Sequence, residues 1–440
     1  MRSISTVLAV LSLGILHAAD RPNIVFIFID DMGYADISPF GNTELRTPNL
    51  ERLAQQGRKF TSYYATPVCS MSRASLMTGC YNTRVSVPGV FQPNSKLGLN
   101  PDETILPEVL KPKGYATACI GKWHLGDHPA FLPNKQGFDF YFGLPYSNNM
   151  LGGKKWPGGV MPPLPLYRNG EVIETQPDQS QLTKRYTEEA VRFIREKKDG
   201  PFFIYLPHSM IHEPVAASAG FKGKSKMGLV GDSIEEIDWS VGQIMKTLEE
   251  LKLEENTLVI FTSDNGPDRR PAPPFRGNKT TCFEGGVREP CIMRWPGKIP
   301  AGTSCDQILG NIDMLPTFAG IVGQPLDVDR TIDGKDVTSL MFDAAPGVVR
   351  DTHLYFNVAG KLGAIRQGDW KLFVGMNGGK SGNRESPGAL YNLKSDCGES
   401  KDVAAANPEI VSRLREEARK RVAEITAHRR PIGEIMNAKP

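Results

Sequence analysis

Apolar residues follow two patterns along the first three quarters of the chain. Continuous runs rich in β-branched and aromatic residues predict strands that are buried on both faces, as in a parallel sheet. These runs occupy residues 23–29, 115–120, 202–206 and 257–262, and a further strand is predicted at 60–65. Between them, apolar residues recur at helical spacing over 47–57, 107–111, 181–197 and 233–251. The alternation predicts an α/β domain with a large, mixed, mostly parallel sheet flanked by helices.

The pattern changes beyond about residue 350. A hairpin is predicted over 364–374 and a further strand over 389–393. A final helix is predicted over 408–425, and its many basic residues fit a solvated face. We therefore expect the α/β domain to span 20–345 and a smaller C-terminal subdomain, with an antiparallel sheet and a helix, to span 346–440.

The first residues have the features of a secretory signal. Arg2 supplies a positive charge, residues 7–16 form an apolar run too short to span a bilayer, and Ala18-Ala19 offers a cleavage site. Residues 1–19 are therefore predicted to be a signal peptide, and the mature protein to be periplasmic or secreted. No later segment has the length and hydropathy of a transmembrane helix, so stable membrane insertion is not expected.

Composition and charge narrow the possible functions. With 40% hydrophobic and 23% charged residues, the 440-residue chain has the composition of a soluble globular protein. The net charge is only +3 and the basic residues are interspersed, which argues against a nucleic-acid partner. Seven cysteines at wide, irregular spacings fit neither a zinc site nor a dense disulfide scaffold. Their odd number leaves at least one thiol unpaired.

One long segment has no clear periodicity. Residues 148–180 are rich in glycine and proline, and they follow an aromatic-rich stretch at 138–146. We expect a long surface loop that shapes the mouth of a substrate site, or a disordered insert.

Acidic and amide side chains follow two of the predicted buried strands. Asp30-Asp31 ends the first strand, and Asp264-Asn265 follows the strand at 257–262. Adjacent carboxylates repel each other unless a cation lies between them. Oxygen ligands of this kind suit calcium or magnesium better than zinc. The alternative is a polar turn in which one aspartate caps the backbone.

Cys69 lies where a turn enters a short predicted helix that Gly79 can end. The N-terminus of a helix favours negative charge, Ser70 and Ser72 are candidates to cap it, and Arg73 adds a positive charge. The position therefore suits chemistry on an anion. The alternative is a small cysteine buried beside a capped helix.

Basic residues follow two other strands. Lys122 and His124 come directly after the strand at 115–120, at the end of the sheet where ligands bind in open α/β folds. His208 and His212 follow the strand at 202–206, although the flanking prolines argue against a helical metal motif. Taken alone, these side chains also fit an ordinary surface.

In combination, these motifs resemble those of the type I sulfatases, the formylglycine-dependent, arylsulfatase-like branch of the alkaline phosphatase superfamily. The resemblance covers nearly all of the mature chain. The motifs occur in family order: Asp30-Asp31, Cys69-x-x-x-Arg73 with Thr78-Gly79, Gly121-Lys122-Trp123-His124, Ser263-Asp264-Asn265-Gly266, and Lys279 before Glu284-Gly285-Gly286-Val287-Arg288-Glu289-Pro290. Each is weak alone, but their order on matching elements is highly specific. The resemblance implies an alkaline-phosphatase-like fold.

The resemblance also implies a function for individual residues. Cys69 would be converted to 3-oxoalanine (formylglycine) by a formylglycine-generating maturation enzyme, and its hydrated form would be the nucleophile. One calcium ion (Ca²⁺) would be held by Asp30, Asp31, Asp264, Asn265 and the oxygen of residue 69. Arg73 would stabilise the charge of the nucleophile. The sulfate pocket would be lined by Lys122, His124, Ser147, His212 and Lys279.

The implied chemistry needs both charge neutralisation and proton transfer. Calcium and the basic side chains would neutralise charge on the sulfate oxygens. Asp264 is the candidate base for the attack, His212 or Lys279 would protonate the departing alcohol, and His124 would take a proton to expel sulfate. His212 is preferred over His208 because the family's histidine lies just ahead of a proline, as in His212-Glu213-Pro214.

One residue departs from the family pattern, since Met71 stands where proline or alanine is usual. The main hypothesis is an exported sulfatase that hydrolyses sulfate esters of carbohydrates, with aryl sulfates as generic substrates. The alternatives are a phosphodiesterase or phosphonate-ester hydrolase of the same superfamily, and an unmodified, non-catalytic protein that binds sulfated glycans. Specificity is expected in three loops: 85–100, 143–180 and 267–278.

Overall fold

The computed structural model describes residues 21–156, 159–326, 329–376 and 387–435, so the predicted signal peptide lies outside the described residues. The strands are β1 (Asn23–Ile29), β2 (Arg58–Tyr64), β3 (Leu97–Gly98), β4 (Ala116–Ile120), β5 (Phe140–Gly143), β6 (Lys155–Trp156), β7 (Gly159–Val160), β8 (Pro165–Arg168), β9 (Glu171–Thr175), β10 (Phe202–Pro207), β11 (Thr257–Ser263), β12 (Arg288–Arg294), β13 (Thr303–Cys305), β14 (Leu309–Gly310), β15 (Thr352–Phe356), β16 (Leu362–Gln367), β17 (Trp370–Phe373), β18 (Leu390–Asn392) and β19 (Gly433–Glu434).

The α-helices alternate with these strands. They are α1 (Pro48–Gln55), α2 (Cys69–Thr78), α3 (Leu106–Leu110), α4 (Leu182–Lys197), α5 (Gly228–Glu250), α6 (Glu284–Val287), α7 (Met314–Val322), α8 (Thr338–Phe342) and α9 (Pro408–Ala427). Within the described ranges, no helix combines the length and the apolar character needed to cross a bilayer.

One large sheet organises the molecule. Its strand order is β13-β2-β12-β11-β1-β10-β4-β5-β8-β9, and β14 also pairs with β2. The central strands β11, β1, β10, β4 and β5 are parallel, whereas β12 is antiparallel to both of its neighbours. This arrangement confirms the predicted large, mixed, mostly parallel sheet.

Helices cover both faces of the sheet because its central strands are apolar on both sides. On β1, Ile24, Phe26 and Phe28 pack with residues of α2, α3 and α7. The alternate residues Val25 and Ile27 pack with α1, α4 and α5 on the other face. The continuous apolar run of β1 is thus explained by two cores, one on each face.

The prediction of an irregular loop at 148–180 is partly wrong. Strands β8 and β9 form an antiparallel hairpin that extends the sheet beyond β5. The segment lacked a strand pattern because β9 is an edge strand with its apolar residues turned outward. Val172 and Ile173 are 48% and 45% exposed.

A four-stranded antiparallel sheet, β15-β16-β17-β18, follows the large sheet in sequence and packs against α9, as predicted. A buried ionic cluster joins the smaller sheet to α6, the helix that leads into β12. Lys371 on β17 lies 2.8 Å from a carboxylate oxygen of Glu284 and 2.8 Å from one of Glu399, with all three side chains fully buried. The domain boundary at 345/346 stays a prediction.

Candidate active site

The predicted polar strand ends meet at the carboxyl edge of the sheet. Strands β1 and β11 run parallel with Ile29 opposite Ser263, so the residues that follow each strand lie side by side. The backbone N–H of Asp31 donates to Asp264 at 3.2 Å, and the amide of Asn265 donates to Asp31 at 2.7 Å. All four predicted metal ligands on these strands are at most 2% exposed.

Cys69 joins this group from the N-terminus of α2. It is the first residue of the helix and is 2% exposed. Its sulfur lies within 4.8 Å of carboxylate oxygens of Asp30 and Asp264. Oδ1 of Asp30 and Oδ1 of Asn265 are buried and find no hydrogen-bond donor among the described residues. Unpaired oxygens in this setting fit a hard cation.

Three basic side chains face the three carboxylates. Nζ of Lys122 lies 2.5 Å from Asp30, Nζ of Lys279 lies 2.6 Å from Asp31, and Nη2 of Arg73 lies 2.8 Å from Asp264. Each buried carboxylate therefore has a cationic partner, which burial requires.

The charges shift the pKa values of the two central carboxyls in opposite directions. Burial alone would raise the pKa of Asp30, but the positive charges of Lys122, Arg73 and Lys279 outweigh it and hold that pKa well below its usual range. For Asp264, burial and the neighbouring Asp30 raise the pKa to about 7. Burial also raises the pKa of the Cys69 thiol. An unmodified Cys69 is therefore a neutral thiol rather than a reactive thiolate.

Ser147 connects Lys122 to His212. Nζ of Lys122 donates to the hydroxyl of Ser147 at 3.2 Å, and that hydroxyl lies 3.4 Å from Nε2 of His212. Nδ1 of His212 is 2.7 Å from the carbonyl of Glu213 and must donate to it, because a carbonyl only accepts. Burial lowers the pKa of His212, so the neutral ring has its lone pair at Nε2.

His124 has the opposite tautomer. Its Nε2 donates to the carbonyl of Phe91 at 3.1 Å, and Nδ1 is buried with no partner in the described part of the chain. Burial, followed by the charges of Lys122 and Arg73, lowers its pKa well below the usual value. His124 is thus a neutral imidazole with a lone pair available at Nδ1.

His208 lies away from these groups. Its Nε2 is 3.2 Å from the hydroxyl of Ser240 on α5, and its ring packs near Tyr186 of α4. Burial lowers its pKa to about 3. His208 therefore lies between the sheet and helices α4 and α5, whereas His212 lies beside the carboxylates.

Close backbone contacts bring three of these segments together. A Cβ on Gly121 would lie 1.9 Å from the carbonyl oxygen of Pro207, and one on Gly143 would lie 1.8 Å from the carbonyl oxygen of Gly121. Only glycine permits both approaches, and Gly121 also has a φ of 134°. The ends of β4, β5 and β10 converge for this reason, and with them Lys122, Ser147 and His212.

The expected caps of α2 are wrong. Val68 is the N-cap residue and makes no side-chain capping bond. The hydroxyl of Ser70 instead accepts from the N–H of Phe91, and that of Ser72 accepts from Asn311 at 2.6 Å. These serines fasten the helix to neighbouring segments, which local spacing does not reveal.

Two supporting residues were given no function by the sequence analysis. Arg270 donates to the backbone carbonyl of Asp31 and to both carboxylate oxygens of Asp36. Ser263 accepts from the N–H of Met32 at 3.0 Å. Both fix the turn after β1, where Asp31 has a φ of 64°. Only the position of Ser263 beside the Asp264-Asn265 pair was a signal for its function.

Comparisons with known proteins agree with this geometry. A family model described as "Sulfatase" matches residues 22–324, and one described as "N-sulphoglucosamine sulphohydrolase, C-terminal" matches residues 277–427. The N-acetylgalactosamine-6-sulfatase of Canis lupus familiaris is 38% identical over 392 residues, which cover 83% of this chain and 74% of that protein.

Two solved structures are similar over more than nine tenths of both chains. The PsFucS1 sulfatase from Pseudoalteromonas sp. has a TM-score of 0.84 and 28% identity, and the match covers 93% of this chain and 91% of that one. Ps i-CgsB, solved in complex with k-i-k-neocarrahexaose, has a TM-score of 0.76 and 28% identity, covering 91% and 92%.

Proposed function

The chain belongs to the sulfatase family and hydrolyses sulfate esters, and we propose that it does so outside the cytoplasm on sulfated carbohydrates, using a formylglycine at residue 69 and one calcium ion. The proposal is carried by the position of Cys69. Its side chain lies at the N-terminus of α2, within 4.8 Å of the oxygens of Asp30 and Asp264.

The residues around Cys69 fit a hard cation. Asp30, Asp31, Asp264 and Asn265 offer oxygen donors, and two of these oxygens are buried without a partner in the part of the chain that the structure describes. Calcium prefers carboxylate and amide oxygens. When bound, it would withdraw charge from the sulfate oxygens.

The formylglycine gives a chemical reason for replacing the cysteine. Its hydrated form supplies two hydroxyl groups on one carbon, one to attack sulfur and one whose deprotonation releases the sulfate without a separate hydrolysis. His124 is suited to take that proton because its Nδ1 has no other partner among the described groups.

The basic side chains bind and orient the sulfate group. Lys122 and Lys279 each present an ammonium beside the carboxylates, and Ser147 and His212 complete the same wall. Arg73 holds its guanidinium against Asp264 and donates to the carbonyl of Lys122, which fixes both groups. Lys279 is the charged candidate for protonating the leaving oxygen, whereas His212 has its lone pair at Nε2.

The carbohydrate part of the proposal is supported by the relatives. One is named for N-acetylgalactosamine 6-sulfate, and one structure holds a neocarrahexaose. Both names describe those proteins, and the step to this chain is our own. Specificity then depends on the loops at 85–100, 143–180 and 267–278.

Mass spectrometry and turnover together test the proposal. In protein from the native host, the tryptic peptide of residues 60–73 should lose one sulfur and two hydrogens and gain one oxygen. Wild-type protein should hydrolyse an aryl sulfate and sulfated saccharides, and Cys69→Ala should hydrolyse neither. An intact thiol in active protein would contradict the formylglycine. A strong preference for an aryl phosphodiester would favour the phosphodiesterase alternative.

A further inference from the structure

A second cleft is lined in part by segments that adjoin Ser147 and His124 in sequence. It has a volume of about 440 Å³ and is lined by residues 94–96, 127–129 and 145–146 together with Tyr167 and three prolines of the segment 162–165. None of these residues belongs to the sulfate pocket described above. The lining combines aromatic and proline surfaces with polar side chains.

The cleft lies close to the reacting groups. Tyr146 precedes Ser147, and Asp127 follows His124 by three residues. Asn94 follows Phe91, whose carbonyl accepts from His124, by three residues as well. Three residues of chain span at most about 11 Å. Parts of the lining therefore lie within that distance of His124 and Ser147.

Two polar atoms in the lining lack partners. Oδ2 of Asp127 accepts from the N–H of Asn94 at 2.6 Å, but Oδ1 is buried without a donor in the described ranges. The hydroxyl of Tyr146, a residue that is 3% exposed, is likewise buried and unbonded to any described group. Burial raises the pKa of Tyr146, and the nearby Asp127 carboxyl raises it further.

These two atoms match a sugar hydroxyl. A hydroxyl group can accept from a phenol such as that of Tyr146 and can donate to a carboxylate such as that of Asp127. The ring of Tyr167 and the prolines offer apolar surface to the C–H face of a sugar. Lys96 and His128 also line the cleft, but the negative charge of Asp127 disfavours a sulfate directly beside its carboxylate.

We propose that this cleft binds an unsulfated sugar unit joined to the sulfated one, so that the preferred substrate is an oligosaccharide rather than a sulfated monosaccharide. This inference rests on the proposed function. It assigns binding, and no chemical step, to Asp127 and Tyr146.

The test compares three kinds of substrate in one protein. We would measure kcat/KM for an aryl sulfate, for N-acetylgalactosamine 6-sulfate, and for two disaccharides in which an unsulfated sugar is joined to either side of that unit. The wild type should prefer one disaccharide over the monosaccharide by roughly ten-fold or more. Equal values for both disaccharides and the monosaccharide would overturn the proposal.

Two conservative variants locate the effect. Tyr146→Phe removes only the hydroxyl and should lower kcat/KM for the preferred disaccharide roughly three- to ten-fold. Asp127→Asn keeps an oxygen for the N–H of Asn94 and should lower it roughly ten-fold or more. An aryl sulfate is too small to reach the cleft, so its kcat/KM should stay within about two-fold of the wild-type value in both variants.

A matched control is Tyr115→Phe. That hydroxyl is also buried, but it donates to the carbonyl of Pro22 at the opposite edge of the sheet. It should change no ratio between substrates. Unchanged ratios in Tyr146→Phe and Asp127→Asn, with aryl sulfate still hydrolysed, would show that water alone occupies the cleft. Loss of all sulfate-ester turnover in the wild type would instead refute the proposed function.

Discussion

Nη2 of Arg73 lies 2.8 Å from Oδ2 of Asp264, and both side chains are completely buried. Removing the guanidinium would leave two carboxylates, Asp30 and Asp264, with less compensation in a dry site. Arg73→Ala should therefore lose about 3–5 kcal/mol of unfolding free energy.

Arg73→Lys tests geometry apart from charge. It retains the charge but not the fork that reaches both Asp264 and the carbonyl of Lys122, so kcat for an aryl sulfate should fall by about two to three orders of magnitude. Urea unfolding and initial rates measure the two effects. Arg419→Ala, on the exposed face of α9, should change neither. Wild-type kcat in Arg73→Lys would contradict a positioning function for the guanidinium.

Calcium should stabilise the folded protein through Asp30, Asp31, Asp264 and Asn265. At a calcium concentration about a thousand times Kd, the expected gain is about 4 kcal/mol. Asn265→Ala removes one oxygen and should abolish most of the rise in Tm on adding calcium after chelation. Metal analysis should find one calcium per wild-type chain. A Tm that calcium does not change would argue against the site.

Lys371 pairs with two carboxylates that differ in protonation. Burial raises the pKa of Glu284. The positive charges of Lys371, Arg288 and Arg366 outweigh burial and lower that pKa to about 2. For Glu399, burial prevails and raises the pKa to about 7. Glu284→Gln should thus cost about 3–5 kcal/mol of unfolding free energy, and Glu399→Gln distinctly less. Equal losses in urea unfolding would refute this division.

The pH dependence of stability should include a contribution from Asp238, which accepts from the N–H groups of Asn49 and Leu50 at the start of α1. Burial raises its pKa from 3.8 to about 6. The folded state therefore binds this proton more tightly than the unfolded chain, which adds stability at low pH that is lost as the pH rises through about 6.

Asp238→Asn removes that titration. The wild type should lose about 1–3 kcal/mol of unfolding free energy between pH 5 and pH 8 that the variant does not lose, so the stability of the variant relative to wild type should rise by that amount. Unfolding by urea at both values measures the difference. A difference that does not change with pH, or that changes in the opposite direction, would contradict the assignment.

Substitution of Met71 would test core packing and the proposed maturation of residue 69 together. Its side chain is fully buried with Val68, Tyr81 and Ile312. Met71→Ala should lose about 2–5 kcal/mol of stability. It should also raise the fraction of residue 69 converted to formylglycine, since alanine is usual there in the family. Mass spectrometry of the peptide carrying residue 69 measures that fraction. An unchanged or lower fraction would show that Met71 does not limit maturation.

The elements that the sequence predicted well are those whose environment is the same along their whole length. The runs at 23–29 and 257–262 are buried on both faces, so composition alone identified them and located Asp30 and Asp264 at the strand ends. The edge strand β9 was not predicted because both of its apolar residues, Val172 and Ile173, are exposed to solvent. Its pairing with β8 runs through the two-residue turn Asn169-Gly170, in which both residues have a positive φ, and this local hairpin signal was not used in the sequence analysis.

The candidate site was predictable as a set of residues and not as a set of contacts. Spacing could place Cys69 and Lys122 at the ends of elements. It could not show that Ser70 would bond Phe91 rather than cap α2, or that His208 would face Ser240. Asp127 and Tyr146 carried no motif at all, and only folding brings them to one cleft.

The backbone contacts at Gly121 and Gly143 limit which parts of this enzyme can change during evolution. Three chain segments touch there without intervening side chains, so the distances between Lys122, Ser147 and His212 are fixed by the thickness of the polypeptide itself. Point mutation cannot widen that framework in small steps. Laboratory evolution toward new substrates should therefore accumulate changes in the surrounding loops, and libraries that vary the two glycines should return almost entirely inactive clones.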